Sequence, residues 1–234
     1  GGPSGAFIVI SYTIVEQYGV TGLAIATVIA GVMLVLMGVL KLGSVIKFMP
    51  YPIIVGFTSG IAVTIFSSQI SDLLGLKMES IPTEFFAKWA TYFKNIGTTD
   101  LITALIGIGS IAIIFLTPKF LKKIPGSLIA IVFMTLLVFF LKKYTDIGGL
   151  ETIGERFTIK SQLPQVTPIK FNIESIKLLF PSAFTIAMLV AIESLLSATV
   201  ADGIIGTKHN SNMELVAQGA ANIITPFFGG IPAT

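Results

Sequence analysis

Hydrophobic positions in this chain run together rather than alternate with polar ones. Uncharged stretches cover residues 17–40, 48–71, 101–118 and 124–141. Each approaches or exceeds the ~20 residues that carry a helix across ~30 Å of hydrocarbon. A transmembrane β-barrel would show apolar–polar alternation in ~10-residue segments, so the pattern predicts helices throughout. Residues 1–18 predict a short or half-length membrane helix: Pro3 suits a first turn, and Gly2 and Gly5 let the backbone approach another group closely. Residues 19–42 predict a full span, with Gly31 and Gly38 permitting close helix contact. Met49-Pro50-Tyr51-Pro52 introduces a helix over 52–74, whose face of Gly56, Ser59, Gly60 and Val63 predicts tight helix packing.

Residues 81–95 differ in kind. Phe85, Phe86, Trp89, Tyr92 and Phe93 recur at helical spacing while Glu84, Lys88 and Lys94 take other faces. This predicts an amphipathic helix lying at the headgroup level on an aromatic anchor. Spans over about 100–116 and 124–141 follow. Residues 142–172 then collapse into a polar connection punctuated by Gly and Pro, a surface excursion or a gating cover. Helices over 173–201 and 212–225 close the pattern, giving seven helices and the start of an eighth after Pro232. The short, lysine-dense connections at Lys41/Lys47, Lys119/Lys122/Lys123 and Lys208 are placed on the cytoplasmic side.

Composition agrees with a membrane protein. The chain is 53% hydrophobic and 12% charged, with a mean hydropathy of +0.91. Soluble domains carry about 25% charged residues, so an ordinary cytosolic fold is excluded. The net charge of +3 comes from lysines near helix ends and gives no reason to expect a nucleic-acid partner. Without cysteine there are no disulfides and no thiolate metal sites. No basic n-region or cleavage site opens the chain, and both ends fall inside motif-like sequence, so a fragment of a longer protein is expected.

Few residues can carry chemistry at membrane depth. Glu193 lies about five turns into its helix among apolar neighbours. An acid there costs about 2.5–3.5 kcal/mol on insertion scales and normally faces a cavity, an ion or a partner. Ser197 is four residues on and shares its face. The pair suits an all-oxygen Na⁺ site, or an acid that takes up a proton; the other reading is a structural hydrogen bond to a neighbouring helix. Asp202 reads as a solvated or turn-stabilising acid, and the single His209, without a second His or Cys, is a poor metal ligand. Asn212 is expected to cap the next helix, in which Gln218 and Asn222 are expected to hydrogen-bond between helices. The breaks at Gly1–Ala6 and Gly229–Thr234 matter for their backbone. A helix that begins inside the membrane leaves free N–H groups and partial positive charge at its start. Two facing starts would bind an anion through Ser4, Gly5, Ala6, Ala233 and Thr234.

Three stretches resemble the sulfate permease family of anion transporters. They are Gly2-Pro3-Ser4-Gly5-Ala6-Phe7, the run from Met49-Pro50-Tyr51-Pro52 through Gly56-Phe57-Thr58-Ser59-Gly60-Ile61, and a long third one. That third stretch runs from Ala191-Ile192-Glu193-Ser194 through Thr207-Lys208-His209-Asn210-Ser211-Asn212 to Gly229-Gly230-Ile231-Pro232-Ala233-Thr234, with Met213 where the family more often has a polar residue. The resemblance implies an all-α polytopic membrane protein of two inverted seven-helix repeats, divided into core and gate domains. Residues 1–234 would be helices three to nine and the start of ten. Residues 1–18 (a half-helix) and 173–234 would belong to the core; 52–141 would be mostly gate, with the interfacial helix at 81–95. Glu193 matches the family's helix-eight acid, associated with coupling-ion binding or charge compensation. The resemblance further implies a small anion substrate, the lipid bilayer, the remainder of the transporter, a cytoplasmic STAS domain and a homodimer as partners.

The reading is therefore secondary active transport of an inorganic or small organic anion (sulfate, bicarbonate or similar) across a cell inner membrane, coupled to Na⁺ or H⁺. No catalytic residue, resident metal or cofactor is expected beyond Na⁺ at Glu193 and Ser197. A channel-like or non-transporting scaffold of the same fold is the alternative. An intramembrane enzyme would need a paired acid, a Ser/His couple or a metal cluster at membrane depth, which the pattern does not supply.

Overall fold

A computed structural model of the chain describes residues 2–46, 51–78, 80–82, 84–121, 124–144, 150–157 and 166–234. The helix introduction at Met49-Pro50, the lysines 47, 122 and 123, and most of the polar connection (145–149 and 158–165) lie outside them. The chain divides into two compact units. One comprises Gly1–Ala62 with Gln162–Thr234, the other Val63–Ser161. The boundary falls within the third helix, Tyr51–Leu74, rather than at its start.

In the first unit a single 3₁₀ turn, Gly5–Phe7, leads into α1, Ile8–Val39. The two helices expected over 1–18 and 19–42 are joined here, but the axis breaks at Gly19, with φ 69° and ψ −179°. That conformation is open essentially only to glycine. A half-length limb over 8–18 therefore meets a full-length limb over 20–39. After the single turn α2 (Gly43–Ile46) and the start of α3 (Tyr51–Leu74), the unit resumes with α8 (Ile173–Ile205) and α9 (Ser211–Ile224).

Apolar spacing explains how these helices pack. On α8, Leu179, Ala183, Ile186, Ala187, Val190 and Ala191 recur every three or four residues and are all buried. They meet Phe7 and Ile14 from the half-helix and Ala26, Ala30 and Leu34 from the longer limb in one core. Where α1 crosses α9, a Cβ on Gly31 would meet the Gly219 carbonyl oxygen at 2.7 Å, and one on Gly219 the Gly31 carbonyl oxygen at 2.6 Å. The two backbones touch, and only glycine fits at that crossing.

The second unit contains the rest of α3, α4 (Phe85–Lys94), a 3₁₀ turn at Ile96–Thr98, α5 (Leu101–Phe120), α6 (Gly126–Tyr144) and the single turn α7 (Ile153–Arg156). Asp100 caps α5, accepting from the Ile102 amide at 3.2 Å and the Thr103 hydroxyl at 2.7 Å. The expected amphipathic segment is helical over ten residues only. Its Trp89 and Tyr92 turn inward: the indole N–H donates to the buried Ser67 hydroxyl at 3.0 Å, and Tyr92 is 3% exposed. Phe86 and Phe93 point outward. Among the described residues the small face of α3 is not packed by another helix. Gly56, Ser59, Gly60 and Val63 are exposed, and a Cβ on either glycine meets nothing within 4 Å. Small residues permit close approach, but they do not compel it without a facing helix.

Among the described residues, four helical stretches are long and apolar enough to cross a membrane: Gly5–Val39, Leu101–Phe120, Gly126–Tyr144 and Ile173–Ile205. Strands are absent from the described residues apart from one isolated bridge. That bridge pairs Pro3 with Ala233.

Candidate functional site

Both broken stretches of sequence come together. The Gly2 amide donates to the Thr234 carbonyl at 2.8 Å and the Thr234 amide to the Gly2 carbonyl at 3.0 Å, making Pro3 and Ala233 an antiparallel bridge pair. Pro3 occupies the position of the pair that exchanges no hydrogen bond, so its missing N–H leaves no gap in the ladder. The far edge of Ala233 is held by a side chain. Asn222, wholly buried on α9, accepts the Ala233 amide at 3.0 Å and donates to the Ala233 carbonyl at 2.8 Å. Its Nδ2 also donates to the Gln218 carbonyl at 2.9 Å.

Ser4 caps the 3₁₀ turn that starts the half-helix. Its Oγ accepts the Ala6 amide at 3.3 Å and donates to Glu193 Oε1 on α8. The second carboxylate oxygen of Glu193, Oε2, is buried with no hydrogen-bond partner among the described residues. Glu193 itself is half-buried at the flank of the packed α8 face. Ser197 lies one turn further on and is exposed. The neighbouring Ser194 is buried and donates to Glu214 Oε1 at 2.7 Å, where Gln218 Nε2 also donates at 3.0 Å. Glu214 was missed in the sequence, where an acid in the first turn of α9 reads as complementing the helix dipole.

Three further details of the geometry bear on the expected residues. The amides of Ala6, Ala233 and Thr234, expected to face an anion, are taken by Ser4 Oγ, Asn222 Oδ1 and the Gly2 carbonyl. The cap of α9 is Asn210, which accepts from the amides of residues 212 and 213, whereas Asn212 reaches across to accept the Gly43 amide at 3.0 Å. His209, in the polar turn between α8 and α9, meets both a carboxylate and a hydroxyl. His209 Nδ1 lies 2.6 Å from Asp202 Oδ2, and His209 Nε2 lies 2.9 Å from Ser211 Oγ. That hydroxyl is 5% exposed and opens α9, and Asp202 also accepts the His209 amide at 3.0 Å. The group clamps the turn between α8 and α9. Among the described residues no cluster of three metal-ligating side chains occurs.

A half-helix, a kinked span and two chain segments paired beside an acid inside a helical core define an all-α polytopic membrane protein of the broken-helix kind. The sulfate permease family profile matches residues 1–234, and the chain belongs to that family. It is 44% identical over its whole length to "Putative sulfate transporter YvdB" of Bacillus subtilis (strain 168), covering 44% of that protein. It is 32% identical to the bicarbonate transporter BicA of Picosynechococcus sp. (strain ATCC 27264 / PCC 7002 / PR-6) over 98% of the chain and 41% of that protein. The transmembrane domain of a cyanobacterial BicA superposes with a TM-score of 0.79 at 27% identity, covering 98% of this chain and 59% of that one. The chain thus spans less than half the length of the curated relatives it matches. Both relatives are named as transporters, not enzymes.

Proposed function

We propose that this chain supplies the substrate site of a secondary transporter for a small anion such as sulfate or bicarbonate, working in a cell inner membrane. The observation that carries the reading is the antiparallel pairing of two broken segments, 2–4 and 232–234, directly beside Glu193. With the Ala6, Ala233 and Thr234 amides engaged internally, the anion is placed at the start of the half-helix, at Ser4 and Gly5, while Ala6, Ala233 and Thr234 shape the wall. The bare Oε2 of Glu193 is the group for a coupling Na⁺ or H⁺, with Ser197 one turn away able to add an oxygen to a cation. The names of YvdB and BicA support anion transport; a STAS domain and a homodimeric state belong to the same proposal for the whole protein.

The test is uptake by the full-length protein in proteoliposomes, each anion offered with and without Na⁺ or pH gradients. Glu193→Gln should keep expression and folding and lose gradient-driven uptake by ~100-fold or more, the loss expected when a unique coupling group is removed. Undiminished gradient-driven uptake in that variant would take Glu193 out of the mechanism.

A further inference from the structure

We infer that Asn222 is a positioning residue that sets the geometry of the paired segments, acting as a third strand on the free edge of Ala233. This rests on the proposed reading of the segments as the anion site.

Ala233 sits between two partners. On one side lies Pro3, which as proline offers no N–H, and the ladder closes through Gly2 and Thr234 instead. On the other side Asn222 presents an acceptor to the Ala233 amide and a donor to the Ala233 carbonyl, the pairing that a neighbouring strand would make. Pro3 and Ala233 pair in one register. Here that register is set from α9, because the Asn222 amide plane is itself fixed by its second N–H on the Gln218 carbonyl. Gln218 in turn donates to Glu214, which holds Ser194, the neighbour of Glu193 on α8. Ser4 closes the loop from the other segment onto Glu193. Asn222 is therefore where α9 meets the bridge, and nothing apolar of similar size can replace its donor–acceptor pair.

Aspartate separates this role from simple packing. Ionised, Asn222→Asp keeps an acceptor for the Ala233 amide but sets a carboxylate oxygen against the Ala233 carbonyl. Protonated, it regains one O–H donor and restores both bonds to Ala233.

Two readouts test this on the full-length protein. First, Pro3→Cys with Ala233→Cys, in a background otherwise free of cysteine, should form a disulfide on mild oxidation, because residues facing across a pair without hydrogen bonds have Cα atoms ~4.5 Å apart. Adding Asn222→Leu should lower that yield about fivefold, as two buried backbone groups are left unpaired. An unchanged yield overturns the inference, whether or not any anion is carried. Second, in proteoliposomes Asn222→Asp at pH 7.5 should raise the anion KM about tenfold while Vmax stays within about twofold, with its KM relative to wild type narrowing at pH 5.5. A wild-type-like KM at pH 7.5, or a ratio independent of pH, also overturns it. Wild-type protein that carries no anion while the disulfide result holds would defeat the transport reading alone.

Discussion

The two units use equally apolar helices to different ends. In the first, 56% of the most apolar window in Gly5–Val39 is buried; in the second, the corresponding windows of Leu101–Phe120 and Gly126–Tyr144 are 11% and 6% buried. Overall hydropathy does not account for the contrast. The first unit places glycine where backbones cross and alanine along the contact face of α8, so its helices approach closely. The second lines its long helices with Leu, Ile and Phe that face outward, such as Leu105, Phe115 and Phe133. Polar residues follow the same division. In the first unit they form a connected set around the half-buried Ser4, Glu193 and Glu214 and the buried Asn222; in the second they include the separate pair Trp89–Ser67 and the cap at Asp100. Apolarity suits a helix to the membrane, while side-chain size decides how closely two helices can approach.

The largest expected effect breaks the close-packed side of this comparison. Gly219→Leu puts a Cβ 2.6 Å from the Gly31 carbonyl oxygen and 2.7 Å from the Val35 amide, backbone atoms that cannot swing away. The cost should reach about 3 kcal/mol, seen as a large drop in thermal unfolding temperature or loss of monodisperse protein in detergent. The matching change in α3, Gly56→Leu, enters open space and should alter stability by less than about 0.5 kcal/mol. Equal losses in the two variants would erase the distinction.

Much of this division is legible in the sequence, and its failures have physical causes. Runs of apolar residues specify helices, the break at Gly19 follows from glycine at a half-span distance, and the meeting of 2–4 with 232–234 follows from two Gly/Pro breaks that each need partners. The small face of α3 misleads because the same residues serve a packed crossing or an open one. Asn222 looks like any interhelical polar residue until Ala233, eleven positions later, is known to present its backbone edge. Likewise Asp202, His209 and Ser211 line up only because the turn folds back, a geometry that a lone histidine does not announce.

A middle-sized effect sharpens the description of the second unit. Trp89→Phe removes the donor to Ser67, which is 1% exposed, and leaves that hydroxyl buried without its partner. A loss of about 1–2 kcal/mol is expected. Phe86→Ser with Phe93→Ser should instead leave unfolding in detergent nearly unchanged and weaken α4's hold on lipid, read as greater water-soluble labelling of a cysteine at Lys94 in liposomes. Equal labelling with and without the phenylalanines would show that α4 is held by its inner face alone.

The smallest effect concerns α7, which is attached at the surface. Glu155 accepts from Lys142 at 2.5 Å and from the Thr152 amide at 2.7 Å and hydroxyl at 2.9 Å, and Arg156 reaches Asp72 at 2.8 Å. The Lys142 hydrogen bond, followed by those from Thr152, holds the Glu155 carboxyl down to a pKa of about 2, from an ordinary 4.5. A depressed carboxyl stabilises the folded turn fully above its unfolded pKa, and that contribution drains away as pH falls toward the folded value. The window therefore runs from about 4.5 down to 2. Amide exchange over residues 152–157, corrected for intrinsic rates, should show the same protection at pH 7 and pH 5 and a decline below pH 4. In Glu155→Gln the protection should be lower at pH 7 and flat across the range. Because the pair is exposed, 0.5 M salt should shrink the difference between the two proteins. A decline in wild type that begins near pH 6, or one that Glu155→Gln reproduces, would assign the anchoring of α7 to a group other than Glu155.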